Sequence, residues 1–273
     1  MFAEIVTIGD ELTRGEIVDT NSSWLAARLW DQGVIVRWMT SCRDDADDLR
    51  RALTDAVGRA DLVLVSGGLG PTEDDLTVDV VAGLAGVEVE VDPVARARLE
   101  QLMAARGRPL TAINLRQVRA PAGARIHPNP VGLAPGFELA LRGVAVVCMP
   151  GVPRELHGIY DGSVAADVDA RAARDQVRLA RRVYRVFGRA ESQLSEALRG
   201  VVDATAGASL HYQVKFPETL IKLVVADRDQ ARADAALAAL DGEVRARIGR
   251  WIYGLGDVAL PAVTAAALAA RGR

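Results

Sequence analysis

Cysteine and histidine are scarce: two cysteines, Cys42 and Cys148, and three histidines in 273 residues. The cysteines lack the paired spacing of a zinc centre, so a zinc-cysteine site and a disulfide framework are excluded, and a reducing cytoplasm is expected. Lysine is scarcer still: of 33 basic residues only Lys215 and Lys222 are lysines. A solvated face tolerates replacement of Lys by Arg, whereas a site needing a compact ammonium does not, which singles out the two that remain. No apolar run reaches the roughly 20 residues of a membrane span. The opening "MFAEIVTIGDEL" has no basic region ahead of its apolar run, so neither a secretory signal nor a membrane partner is expected. Net charge is −3 with both signs dispersed, and without a basic stripe no nucleic-acid partner is expected. Walker A, HExxH and G-x-S-x-G patterns are absent.

Half of the residues are apolar, enough for one large domain and a smaller one. Short apolar runs at 3–9, 34–40 and 61–66 read as buried strands, and helical patterns follow each of them. Asn21 or Ser22 is the expected cap of the first long helix. Strands alternating with helices on short loops predict a mostly parallel sheet covered on both faces, an α/β fold of three layers. Residues 93–118 read as helical. "GFELALRGVAVVCMPG" reads as two strands meeting at Arg142 and Gly143, and "VPRELHGIYDG" as a helix with Pro153 in its first turn. A linker or connecting helix is expected over 168–180. Residues 181–256 then run strand, helix, strand, strand, helix, strand, a ferredoxin-like α+β unit. A C-terminal helix is expected within 257–273.

Four loops follow predicted strands: "GDELTRGE", "SCRDD", "GGLGPTEDD" and "MPGVPRE". In an open parallel sheet such loops gather at the carboxyl edge, where ligands bind. Two carry glycines ahead of a helix and so offer free amides to an anion. Gly67, Gly68, Gly70, Pro71, Thr72 and Gly151 are the expected phosphate contacts, with Asn21 and Arg154 beside them. Acids crowd the same edge, and bare phosphate would be repelled. A divalent cation of the Mg or Co type resolves the conflict, with Asp10, Asp44, Asp74, Asp75 and Glu155 as candidate ligands. Asp75, Asp74 and Asp10 are the candidate catalytic residues, holding the metal and orienting a water. The competing reading of each acid is an ordinary helix cap. His157 reads as a helix-surface residue and both cysteines as small buried apolar ones.

"TIGDELTRGEIVDTN", "SGGLGPTEDDLT", "PNPVGLAPGF" and "MPGVPRE" together resemble the N-terminal region of the CinA-type, competence/damage-inducible family. The resemblance extends into the second domain through "FGRAESQL" and "YQVKFPE". It implies a fold similar to the molybdopterin-binding (MoaB/Mog-like) domains, in which the Asp before a hydrophobic-Thr pair, here Asp75, marks the pterin-phosphate site. Asp44 or Asp45 matches the acid after the second strand. The family also implies metal-dependent hydrolysis of the pyrophosphate bond of ADP-ribose, without a Nudix-type helix. The alternative is a non-catalytic module that binds molybdopterin or a nucleotide. Longer members of the family continue into a nicotinamide mononucleotide deamidase domain, whose chemistry these residues cannot carry. By analogy a homodimer is expected, with Lys215 and Glu218 as candidates to reach the substrate. The departures are Arg154 and Leu156 where the family often has Ser and Met, and a less typical stretch before Glu191.

Overall fold

The computed structural model describes residues 1–174 and 177–272, which form two compact units divided between residues 175 and 176. In the first, strands β1 (Phe2–Ile8), β2 (Ile35–Cys42) and β3 (Leu62–Ser66) alternate with helices α1 (Asp10–Thr13), α2 (Thr20–Asp31), α3 (Ala46–Val57) and α4 (Thr77–Ala85). Then come β4 (Val89–Val91), α5 (Pro93–Ala105), α6 (Ala112–Arg116), β5 (Arg119–Pro121) and β6 (Arg125–His127). The unit closes with β7 (Gly136–Leu141), β8 (Val144–Met149), α7 (Pro153–Ile159) and α8 (Ala165–Arg174). The main sheet runs β2-β1-β3-β8-β7-β6. Its first four strands are parallel, and β7 and β6 add antiparallel pairs at the far side. The short β4–β5 pair stands outside it.

Strand side chains alternate between two cores, as a period of two requires. Val6, Val63, Val65, Val146 and Cys148 join Leu49, Leu53 and Val81 of α3 and α4 on one face. Ala3, Ile5, Leu62, Leu64, Val147 and Met149 join Leu25, Leu29, Leu156 and Val168 of α2, α7 and α8 on the other. Both faces of the central strands are therefore dry, which explains why their sequences are continuous apolar runs. Each fully buried Leu, Ile or Val contributes about 1.5–3 kcal/mol. The one charge inside β1, Glu4, is fully buried and receives two 2.7 Å hydrogen bonds from Arg59. Arg142 and Gly143 both take positive φ, the turn that a tight antiparallel hairpin between β7 and β8 requires.

Two boundaries differ from the sequence expectation. The start of the expected linker is helix: α8 runs to Arg174, and its Val168 and Ala172 are buried in the first unit's core. The stretch is charged because only one stripe of it faces inward. Its middle, 175–176, lies outside the described residues. The cap of α2 is Asp19, which accepts from the Ser22 amide at 2.8 Å, so Asn21 lies inside the first turn.

The second unit is β9 (Arg178–Phe187), α9 (Glu191–Ala197), β10 (Ala208–Lys215), β11 (Glu218–Asp227), α10 (Gln230–Ile248) and β12 (Ile252–Leu255). Its antiparallel sheet runs β10-β11-β9-β12, the order of a split βαβ unit. Tyr184, Ile221, Leu223, Leu237 and Val244 pack beneath α10. A final helix, α11, spans Leu260–Ala269. Among the described residues no helix is long and apolar enough to cross a membrane.

Candidate active site

Sheet register fixes where the site lies. Ile8 pairs with Cys42, and Ser66 pairs with both Thr7 and Met149. The loops after β1, β2, β3 and β8 therefore leave from one edge. They enclose a cleft of about 420 Å³, lined by residues that include Gly68, Leu69, Gly151, Glu11, Asp44 and Glu155.

The glycine loop is shaped by contact as much as by backbone freedom. Gly67 has φ 115°, and a Cβ there would stand 2.6 Å from the Ile8 carbonyl oxygen. A Cβ on Gly68 would stand 2.2 Å from Thr77 Oγ1, which itself donates to the Gly67 carbonyl at 2.8 Å. Asp75 ties the loop's far end. One of its oxygens accepts from the Gly70 amide at 2.7 Å, and the other from the Thr72 amide and hydroxyl at 2.8 and 2.5 Å. The Gly67 amide is bound to the Met149 carbonyl at 3.0 Å.

These bonds revise the expected anion donors. The amides of Gly67, Gly70 and Thr72 already have partners within the protein. Those of Gly68, Leu69 and Gly151 have none among the described residues, and all three residues line the cleft. Pro71, Thr72 and the exposed Arg154 do not line it. Asn21 lies behind it, donating from Nδ2 to Ser66 Oγ at 2.9 Å and to the Gly151 carbonyl at 2.7 Å. That clasp joins the ends of β3 and β8. Lys215 belongs to the second unit, where it pairs in register with Glu218 beside the hairpin tip Phe216–Pro217. The first unit's cleft is lined wholly by the first unit's own residues.

The acids sort by role. Asp45 caps α3, accepting from the Asp47 and Asp48 amides at 3.0 Å, while Asp44 lines the cleft. Asp10 turns to Arg14 and does not line the cleft. Its amide donates to Asp44 at 2.9 Å, which ties the first two loops together. Burial raises the Asp44 carboxyl above the usual range, and Glu11, Asp10 and Asp74 push it further in the same direction. The Thr72 hydroxyl and a backbone N–H hold Asp74 below that range. Asp75 lines the cleft, yet both its oxygens are engaged by the loop. It serves as the loop's staple, and its capacity as a metal ligand is reduced accordingly.

Glu155 connects two of the sequence motifs. A Cβ on Gly132 would stand 2.2 Å from its carboxyl carbon, so "PNPVGLAPGF" needs that glycine to seat it. Buried Asn129 accepts from the Val131 and Gly132 amides and donates to Glu155 Oε2 at 2.6 Å. Four residues of the site were not singled out in the sequence: Glu11, Leu69, Gln117 and Asn129. Glu11 was visible as one of the crowded acids. Asn129 lies in the quoted stretch "PNPVGLAPGF", just after β6, where its role was not read, and Gln117 comes from the end of the short helix α6, which carries no such signal.

The cysteines and His157 are not reactive groups. Burial pushes the Cys42 thiol up to about 11, aided by Asp48, Asp44 and Asp45, and pushes Cys148 higher still. His157 stacks on Trp24 with ring centroids 4.0 Å apart.

No arginine is among the residues that line the cleft. Its carboxylates do not gather tightly: among the described residues the one group of three whose ligand atoms lie within 4.8 Å of one another is His127, Glu138 and Asp167, away from the cleft. The free amides of the cleft fit a phosphate.

A family model described as "Probable molybdopterin binding domain" matches residues 4–168, and one described as "Damage-inducible protein CinA KH domain" matches 181–254. The chain is 42% identical over 274 residues to a CinA-like protein of Anaeromyxobacter sp. (strain Fw109-5), covering 100% of this chain and 65% of that protein. It is 39% identical over 267 residues to a CinA-like protein of Myxococcus xanthus (strain DK1622), covering 96% of this chain and 63% of that one. The chain thus spans just under two thirds of the length of these relatives. A crystal structure described as the protein CinA with unknown function, from Thermoplasma acidophilum, is 34% identical with a TM-score of 0.56. The match covers 61% of this chain and 97% of that one.

Proposed function

The chain belongs to the CinA-type family, and on that premise we propose that its first unit hydrolyses the pyrophosphate bond of a nucleotide such as ADP-ribose, with a divalent cation. One observation carries the reading: Asp44, pressed by Glu11, Asp10 and Asp74, shares a cleft with the unpartnered amides of Gly68, Leu69 and Gly151. A cation between them lets carboxylates and phosphate share one cleft.

Asp44, Asp74, Glu11 and Glu155 are the cleft's acids left to hold that cation, although no three of them stand close enough together to do so without moving; when bound it supplies Lewis-acid polarisation of the phosphoryl oxygens. The three amides bind one phosphate by backbone dipoles that need no reorganisation. Asp75 fixes the turn from Gly70 to Thr72, next to the Gly68 and Leu69 amides. Asn21 keeps the Gly151 backbone against the end of β3. In the reaction a water oxygen bonds to phosphorus and gives up its proton to solvent, the bond from phosphorus to the bridging oxygen breaks with its electron pair staying on that oxygen, and AMP and ribose 5-phosphate leave. The test is AMP release from ADP-ribose with and without cation, in the wild type and in Asp44→Asn.

A second reading is a binding module for a pterin phosphate or nucleotide, without turnover. It is favoured by the saturation of Asp75, which makes the loop a static cradle. Calorimetry with ADP-ribose and with a pterin phosphate, each with and without cation, separates the two. Cation-independent pterin binding without hydrolysis selects the module.

A further inference from the structure

On the antiparallel side of the main sheet, three groups that the cleft does not use face one another. His127 ends β6, Glu138 lies in the adjoining β7, and Asp167 belongs to α8. Glu138 pairs in register with Val147, on the sheet face that α8 covers. One ligand atom of each residue lies within 4.8 Å of the others, and none of the three lines the cleft. His127 is fully buried, and the carboxylates are mostly so.

The imidazole is oriented by its other nitrogen. Nδ1 lies 2.9 Å from Ser163 Oγ, and that hydroxyl donates its own proton to the Ile159 carbonyl at 3.2 Å. Ser163 Oγ therefore accepts from Nδ1–H, which leaves Nε2 presenting a lone pair. Ser163 sits in a single turn of π-helix, Tyr160–Val164, a turn that recurs at functional sites. Nε2 has no hydrogen-bond partner, and neither has the Glu138 Oε2 that it faces at 3.9 Å, too far for a hydrogen bond. Asp167 Oδ2 also accepts no hydrogen bond, although Arg125 stands 2.8 Å from it.

Three buried lone-pair atoms thus converge with nothing between them. The arginines nearby do not relieve this. Arg171 binds the other oxygen of Glu138, Oε1. Arg125 reaches Asp167 with a side chain that is 58% exposed, a contact that water weakens. A proton between His127 and Glu138 satisfies two of the three atoms, and the imidazole does hold the Glu138 carboxyl low. Only a cation satisfies Asp167 as well.

We propose that His127, Glu138 and Asp167 form a structural site for a divalent cation of the zinc type. One imidazole and two carboxylates are a donor set that zinc accepts, with a water in the fourth, solvent-facing position. Drawing in from 4.8 Å to bonds of about 2.0–2.2 Å moves each ligand by less than about 1 Å. Magnesium, which takes oxygen ligands and octahedral geometry, fits this set poorly. The cation ties β6 and β7 to α8, and it acts on the stability of the first unit. The site is separate from the cleft and stands whether or not the cleft hydrolyses a nucleotide.

The test is calorimetric titration of Zn²⁺ into the full chain, stripped of metal with EDTA and then held in excess Mg²⁺. Wild type is compared with His127→Gln, Asp167→Asn and Ser163→Ala. Wild type is expected to bind one Zn²⁺ and to gain Tm on binding. Ser163→Ala is expected to bind about tenfold more weakly, because the ring loses its orienting partner. His127→Gln loses more than the roughly 10–100-fold of such an outer partner, and Zn²⁺ leaves its Tm unchanged. If His127→Gln does not fold, Asp167→Asn carries the test, since it changes a helix residue without emptying the core. No Zn²⁺ bound by wild type overturns the assignment. So does equal affinity in wild type, His127→Gln and Asp167→Asn, which places an adventitious ion elsewhere. Displacement of the Zn²⁺ by Mg²⁺ also overturns it, since that marks a site of oxygen ligands alone.

Discussion

Asp75 accepts a 2.7 Å hydrogen bond from the Gly70 amide, and a Cβ on Gly70 would stand 2.4 Å from its other oxygen. The two residues are fitted to each other, and the turn they close follows directly on Gly68 and Leu69, whose amides have no partner among the described residues. Gly70→Ala must displace either the turn or the carboxylate, at a cost of about 1–3 kcal/mol. Asp75→Asn puts an NH₂ donor among donors, with a loss of about 1–3 kcal/mol from unmet hydrogen bonds. Urea unfolding measures both. Each variant is also expected to weaken AMP binding with and without cation. A variant whose AMP affinity falls only when Mg²⁺ is present would show that Asp75 acts as a metal ligand and not as a staple.

Asp44 behaves oppositely to an ordinary surface acid. Its folded-state pKa is raised, so it adds stability while protonated, and that contribution is lost as pH rises through the folded value. At pH 7 the ionised group therefore opposes folding. Asp44→Asn is expected to raise Tm by a few degrees in EDTA. Mg²⁺ is expected to raise the wild-type Tm and leave the variant's nearly unchanged. Thermal melts with and without cation check both expectations, and an equal cation shift in the two proteins contradicts the role given to Asp44.

Glu138 sets an acid limit to the first unit. The His127 imidazole, then the Arg171 guanidinium, hold its carboxyl down at about 2, against an ordinary value of 4.5. A depressed carboxyl contributes stability above its unfolded pKa and loses it as pH falls through the folded one. The window is therefore from about pH 4.5 to about 2, and the loss is roughly 2–3 kcal/mol. Glu138→Gln is expected to be less stable than wild type at pH 6 and to show a flatter pH profile below 4.5. Parallel profiles for the two proteins in chemical denaturation would contradict this.

The sheet and its loop edge were legible because their causes are local. "DLVLVSGG" can be only a doubly buried strand that ends in a turn, and four such strands in parallel bring their loops together. The roles of individual residues were less legible, because a sequence shows residue types and not bond partners. Gly70 and Thr72 looked like phosphate donors, yet the acid five and three residues on takes their amides. Asp10 and Asp44 looked alike, and Arg14, a helical turn away, separates them. Asn129 and Gln117 come from an irregular region whose placement depends on tertiary contacts with Glu155 and α5. Over 168–180 a linker and a connecting helix were both open; the start is helix and belongs to the first unit, because a charged, alanine-rich segment hides a narrow buried stripe, here Val168 and Ala172.

The most direct measurement is AMP release from ADP-ribose by the wild-type chain, followed by chromatography, in Mg²⁺, in Co²⁺ and in EDTA. AMP and ribose 5-phosphate in equal amounts with cation, and neither in EDTA, is the predicted result. Intact ADP-ribose in every condition, with calorimetry showing the nucleotide bound, would contradict the hydrolytic reading and leave a binding module.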